Sequence, residues 1–180
     1  PDWVDPGFDW DRSYSSDQER MRLAIAVLRS NVESAIGDPV GAAIFEARSD
    51  RLVVVRLNNC TLHGEMMAFM MGQQRVGSYT SNGPNMPNMP AHELYTSCES
   101  CAICLGATLW SGVERVVYGA ARDDATLHNF EEGPVFHESY PTPRSGESAA
   151  TATSFARKPA RCSRSSARGA AESTTRDEHS

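Results

Sequence analysis

The apolar positions along the chain change period several times, and each change predicts an element. Met21, Leu23, Ala24, Val27, Leu28 and Val32 recur three and four residues apart, which predicts a helix. Ser16-Asp17-Gln18-Glu19 reads as a capping box that opens it, the pattern ends near Ile36-Gly37, and Pro39 follows. Residues 40–46 and 52–57 are β-rich with a Ser49-Asp50 turn between them, which predicts a hairpin. From His63 to about Val76 a second helix carries Met66, Met67, Phe69, Met70 and Met71. Residues 79–90, made of Ser, Asn, Gly, Pro and Met, predict a loop. Residues 93–97 predict a short strand, 101–110 a third helix rich in small apolar residues, and 113–121 a further strand. The order α-β-β-α-β-α-β predicts an α/β protein with a three-layer α/β/α arrangement.

The flanks break this pattern. Residues 1–15 read as an irregular lead, with Trp3, Phe8 and Trp10 as anchors. Residues 142–180 contain no Val, Ile, Leu, Met, Trp or Tyr, and Phe155 is their one large apolar residue. Such a stretch buries too little apolar surface to offset the entropy of ordering it, so disorder is expected. The expected organisation is therefore a lead over 1–15, a domain over 16–141 and a Ser/Ala/Arg-rich tail over 142–180.

Charge follows the same division. Residues 1–141 hold 10 Arg, no Lys and 19 acidic residues, a net of −9; residues 142–180 hold 7 basic and 4 acidic residues, a net of +3. An acidic body is a poor surface for nucleic acid, whose binding depends on Lys and Arg neutralising phosphates. A small substrate is expected instead. No apolar run approaches the roughly 18 residues of a membrane helix, and Pro1 to Trp10 carries three Asp and no basic residue, unlike a secretory signal. The five cysteines (60, 98, 101, 104 and 162) are odd in number with three clustered. That suits metal binding in a reducing compartment, and a cytoplasmic location is expected.

The candidate chemistry lies in two half-motifs. His63-Gly64-Glu65 is followed, 38 residues after His63, by Cys101-Ala102-Ile103-Cys104. One His and a C-x-x-C pair can hold one Zn2+ with a fourth position left open, as catalytic zinc sites do. Both half-motifs fall at predicted helix starts, where the helix dipole favours thiolate over thiol. Glu65 is too close to His63 to be an easy co-ligand and well placed to carry protons. H-x-E with C-x-x-C is the apparatus of a zinc-dependent deaminase. A structural zinc knot with Cys98 or His92 as fourth ligand is an alternative, and Cys98-x-x-Cys101-x-x-Cys104 has part of an iron–sulfur spacing. Cys98 alone reads as a small buried thiol, Cys60 as core or loop, and Cys162 as idle.

The segments "NNCTLHGEMMAF", "ELYTSCESCAICLGATLWSGVERVVYGA" and "FEEGP" resemble the cytidine/deoxycytidylate deaminase superfamily, within it the bacterial guanine deaminase and tRNA adenosine deaminase branch. The similarity spans roughly residues 17–138. It implies a cytidine-deaminase-like domain with a central mixed sheet, His63, Cys101 and Cys104 as zinc ligands, Glu65 as proton shuttle, and a backbone N–H near Cys101 against the attacking oxygen. Phe130-Glu131-Glu132-Gly133-Pro134 resembles a Phe-Asp-Glu-Gly-Pro segment of that branch, which carries a purine-contacting catalytic role onto Glu132; a solvated acidic turn is the plainer reading. Trp110 reads as core packing.

Four departures stand out. The family's His-Ala-Glu is His63-Gly64-Glu65, and its Pro before the first Cys is Ser100, which gives up a preset φ. Its substrate-binding Asn lies about ten residues before the zinc His, whereas only Asn58 and Asn59 stand near His63, so the resemblance carries that role onto neither. Residues 142–180 do not resemble the family's apolar continuation, a change that a shifted reading frame would produce. The expected function is hydrolytic deamination of a free, guanine-like purine base with release of ammonia. Alternatives are a tRNA adenosine deaminase and a zinc-binding domain of this shape with little activity. The resemblance also implies a homodimer.

Overall fold

The computed structural model describes residues 8–35, 37–57, 62–81 and 89–127, and the backbone of 151–154. Its elements are α1 (Asp17–Glu33), β1 (Gly41–Glu46), β2 (Leu52–Leu57), α2 (Gly64–Val76), β3 (His92–Cys98), α3 (Ala102–Ser111), β4 (Arg115–Ala120), α4 (Arg122–Leu127) and β5 (Thr151–Ser154). The predicted order holds through β4, and α4 and β5 are added to it. Ser16 caps α1 by accepting from the Glu19 N–H, while the Glu19 carboxylate accepts from Ser15 N–H, one residue before the partner a capping box would use. Gly77 (φ 70) and Gly112 (φ 81) close α2 and α3 in the left-handed conformation that glycine enters without a Cβ penalty.

The sheet runs β2-β1-β3-β4-β5. β1 is antiparallel to β2 and to β3, while β3, β4 and β5 are parallel. The sheet is therefore mixed, as the resemblance implied. Strand alternation divides the core between two faces. Ala43, Phe45, Val55, Leu57, Tyr95 and Val117 pack with Met21, Ala24 and Val27 of α1. Ala42, Ile44, Leu94 and Val116 pack on the other face with Ala68 and Phe69 of α2. A register shift between Ile44 and Phe45 breaks the alternation in β2, so that Val53 and Val54 both serve the α2 face. Phe8 and Trp10 pack against the α1-side core, and the Arg75 guanidinium lies over the Trp10 ring.

Two expectations are corrected. Trp110 is 88% exposed, because the buried side of α3 is Cys104, Leu105, Thr108 and Ser111, and helical phase puts Trp110 opposite them beside exposed Ile103. Within the tail expected to be disordered, Thr151–Ser154 forms a strand whose residues run from opposite Arg115 to opposite Tyr118. The edge of β4 offers unpaired N–H and C=O groups, and pairing with them does not require a large apolar side chain. The rest of 142–180 lies outside the described residues, as do Trp3, Asn58, Asn59, Cys60, Glu132 and Cys162.

The topology makes one end of the sheet chemical. β2 and β3 both run antiparallel to β1, so β2, β3 and β4 end on the same side. The links from β2 to α2 and from β3 to α3 start there, which brings two helix N-termini to the carboxyl ends of the strands, the usual binding crevice of an open α/β sheet.

Candidate active site

His63 is the residue just before α2, and Cys101 the residue just before α3. Neither caps its helix through its side chain, so both side chains are free for the space between the two N-termini. Cys104 lies one turn into α3, on the same side as Cys101, and is fully buried. The ligand atoms of His63, Cys101 and Cys104 all lie within 4.8 Å of one another, and Cys101 Sγ is 3.2 Å from His63 Nδ1. Ligands at zinc bond lengths of roughly 2.0–2.3 Å around a tetrahedron stand about 3.5–3.8 Å apart. An imidazole nitrogen and two sulfurs at this spacing fit zinc, in donor chemistry as well as in distance.

The thiols share their protons unequally. A hydrogen bond from Cys104, with help from the helix N–H groups and the His63 charge, pulls Cys101 down to about 5 despite its burial. Cys104 is pushed far up because it donates to Cys101, is buried, and faces the Glu65 carboxylate. Cys101 therefore ionises first and Cys104 keeps its proton until a cation displaces it, since metal ligation requires the thiolate.

Glu65 sits in the first turn of α2 and is only 3% exposed. Its Oε1 accepts from Ser100 Oγ at 3.2 Å and from Thr96 Oγ1 at 3.4 Å, and its Oε2 accepts from Cys104 Sγ at 3.3 Å. Burial, with the Cys101 charge beside it, pushes its carboxyl above the usual range, against the pull of its backbone bond and of the Cys104 and Ser100 donors. A carboxyl beside the ligand set, buried and easily protonated, suits proton transfer.

The other readings of the motifs fare differently. His92 Nδ1 is 2.8 Å from the Ser81 carbonyl, and neither His92 nor Cys98 joins the donor group among the described residues. Cys98 is a buried thiol at the end of β3, as read from the sequence. The hydroxyls on Glu65 are what reading by motif missed. Thr96 follows Leu94 by two residues and so shares its sheet face, towards α2. Ser100, seen in the sequence as a lost proline, supplies a donor. The loop that carries it is held by Glu99 N–H to the Ala120 carbonyl at 2.8 Å and Arg122 N–H to Glu99 Oε2 at 2.9 Å.

Comparison with known proteins agrees with this geometry. Residues 14–120 match the cytidine and deoxycytidylate deaminase zinc-binding region. Guanine deaminase of Bacillus subtilis (strain 168) is 29% identical over 122 residues, 66% of this chain and 73% of that protein. A solved guanine deaminase of Nitrosomonas europaea superposes with a TM-score of 0.74 at 28% identity, covering 86% of this chain and 85% of the other. A structure from work on tRNA:A34 deaminases superposes with a TM-score of 0.56 at 21% identity, covering 76% and 97%, a likeness of fold alone. With both zinc half-motifs inside the matched span and brought together by the fold, the chain belongs to the cytidine and deoxycytidylate deaminase family of zinc-dependent deaminases.

Proposed function

We propose that this chain hydrolyses the exocyclic amine from a free purine base of the guanine type, releasing ammonia. The observation that carries the proposal is the buried, non-ligand Glu65 with one oxygen 3.3 Å from Cys104 Sγ, beside a His/Cys/Cys donor set. The choice of base is supported by the guanine deaminases among the relatives and by a neighbour solved with 8-azaguanine, at a TM-score of 0.74 and 28% identity. The acidic body supports a small substrate over RNA. The deaminase unit is assigned to residues 16–141.

His63, Cys101 and Cys104 would hold the zinc. When bound, that ion supplies Lewis acidity that brings a water's pKa to about 7. The remaining work falls to the protein. With Cys104 as thiolate, Glu65 Oε2 loses its sulfur donor, while Oε1 stays held by Ser100 and Thr96. Glu65 Oε2 is then the oxygen that moves protons. Water adds across the ring C=N bond, its oxygen going to the carbon that bears the amine and one proton to the ring nitrogen. The second proton goes to the amine, the C–N bond breaks, ammonia leaves, and a carbonyl remains. Glu132 is assigned to contact with the purine on its motif resemblance.

Two further assignments accompany this reading. A homodimer is supported by the apolar surface that Ile103, Leu109 and Trp110 of α3 and Met70 of α2 leave exposed. A cytoplasmic location is supported by the need to keep two ligand thiols reduced. Ammonia release by zinc-loaded protein from guanine, adenine, cytosine and an adenosine-34 tRNA stem-loop tests the function. Release from guanine alone is expected, falling about 10²- to 10⁴-fold in Glu65→Gln with one zinc still bound. Release from the stem-loop alone would transfer the assignment to tRNA, and no release from any substrate would leave a zinc-binding domain without this activity.

A further inference from the structure

We propose that Ser100 is a positioning residue: together with Thr96 it fixes Oε1 of Glu65, so that Oε2 is the oxygen presented to the reaction. The proposal rests on the reading of Glu65 as proton carrier and adds what holds it. Ser100 Oγ stands 3.2 Å from Glu65 Oε1 and Thr96 Oγ1 stands 3.4 Å from the same atom, while no hydroxyl among the described residues reaches Oε2. Both donors are buried, Ser100 at 2% exposure and Thr96 at 0%. Two hydroxyls that converge on one oxygen of a carboxylate remove its freedom to rotate. Reach then becomes a property of a single oxygen, and small misplacement of a reacting group is costly in rate.

The position makes this a device of the loop, not an accident of packing. A proline at residue 100 has no hydroxyl and could not reach Glu65 as a donor. What proline would contribute, a fixed turn before Cys101, is contributed here by other bonds. Glu99 N–H meets the Ala120 carbonyl at 2.8 Å, Arg122 N–H meets Glu99 Oε2 at 2.9 Å, and Arg122 Nη2 meets the Ser100 carbonyl at 3.5 Å. With its backbone held from β4 and α4, residue 100 is free to carry a side chain that bonds. The same loop therefore holds Cys101 through its backbone and Glu65 through its hydroxyl.

The test compares Ser100→Ala and Ser100→Thr in the full chain, loaded with zinc and checked for one zinc per chain. Ser100→Ala is expected to lower kcat for ammonia release from guanine about tenfold with KM within about twofold, and Ser100→Thr, which keeps the hydroxyl, to recover most of the loss. Unchanged kcat in Ser100→Ala, or equal loss in both variants, would overturn the proposal. A second readout is independent of turnover: thermal unfolding of Ser100→Ala, Glu65→Ala and the double variant. Non-additive midpoint shifts are expected if the two side chains hold each other, and additive shifts would overturn the proposal even where every variant is active. If the unaltered protein releases no ammonia from any base, the deaminase reading fails, and this cycle alone decides whether Ser100 holds Glu65.

Discussion

The protein has two polar clusters, at opposite ends of β3 and on opposite faces of the sheet, and they are built on different electrostatic plans. In the cluster under α1 every carboxylate meets a guanidinium. The Arg20 guanidinium donates to the Tyr14 carbonyl, to Glu93 at 2.6 Å, to Tyr95 Oη at 3.3 Å and to Asp50. Arg115 pairs with Asp17, whose carboxylate also accepts from Tyr95. Cations and anions alternate, and the bond from Arg115 holds the Asp17 carboxyl below its ordinary range. The cluster at the N-termini of α2 and α3 sets two thiols and a carboxyl against one imidazole. Burial pushes Glu65 up, and Cys104 is pushed up by its bond to Cys101 together with burial. The first arrangement pairs its charges among its own residues. The second favours protons on Cys104 and Glu65, and a bound divalent cation would displace the thiol proton. Paired charges hold elements together, whereas groups whose pKa values burial pushes up are candidates for chemistry.

Removing the proposed cation ligands should break the second cluster and leave the first intact. Cys104→Ala, or chelation of the native protein, is expected to abolish zinc binding and lower ammonia release by at least about 10³-fold, since the nucleophile depends on the ion. Metal analysis and an ammonia assay check this. Far-ultraviolet circular dichroism should retain its helical signal, because both faces of the sheet keep their cores, although the unfolding temperature should fall by the loss of ligand linkage.

The converse change attacks the first cluster. Arg20→Leu removes the buried cation from half-buried Asp50 and from Glu93, which keeps Arg115 at 3.6 Å, and is expected to cost about 1.5–3 kcal/mol, read by urea unfolding. Zinc content per folded chain should be unchanged. A loss of zinc with the fold intact would mean that the two clusters are coupled through β3.

The smallest effect concerns pH. Asp17 is lowered in the folded protein, so it binds its proton less readily there than in the unfolded chain. Its contribution is present in full above the unfolded value of about 4 and is lost as pH falls through the folded value. Asp17→Asn should flatten the acid limb of the stability curve below about pH 4 and leave stability per pH unit unchanged between 6 and 8. Unfolding midpoints across that range check it.

Much of this was legible in the sequence because it is local. The N-cap at Ser16, the 3.6-residue repeat of α1 and the turn at Ser49-Asp50 each span a few residues, and β1 through β4 appear where the pattern put them. The grouping of His63, Cys101 and Cys104 was legible because the two half-motifs carry donor atoms of the kind zinc binds. Trp110 was not legible. Its size argued for burial, but the phase of α3 against the sheet, set by Cys104, Leu105, Thr108 and Ser111, turned it outward. β5 was hidden for a related reason: composition reports what a segment can bury, and Thr151–Ser154 is held by backbone pairing to an open edge. Ser100 was visible as a missing proline, yet its hydroxyl contact with Glu65 spans 35 residues of chain and depends on how two loops meet.

The sequence by itself determined the kinds of atoms available and the elements that carry them: one imidazole, two thiols and a carboxyl, each in or immediately before the first turn of a helix. These follow from residue chemistry and short-range periodicity, which act over a few residues. Only the tertiary structure decided that the two helix starts meet, that Thr96 and Ser100 hold one oxygen of Glu65, and that Arg20 and Arg115 close a separate network with Asp17, Asp50 and Glu93. The physical reason is the strand order β2-β1-β3-β4, in which β1 reverses direction between two co-directed neighbours and side chains alternate between faces. That order brings residues tens of positions apart to one end and one side of a sheet, a placement no local pattern encodes.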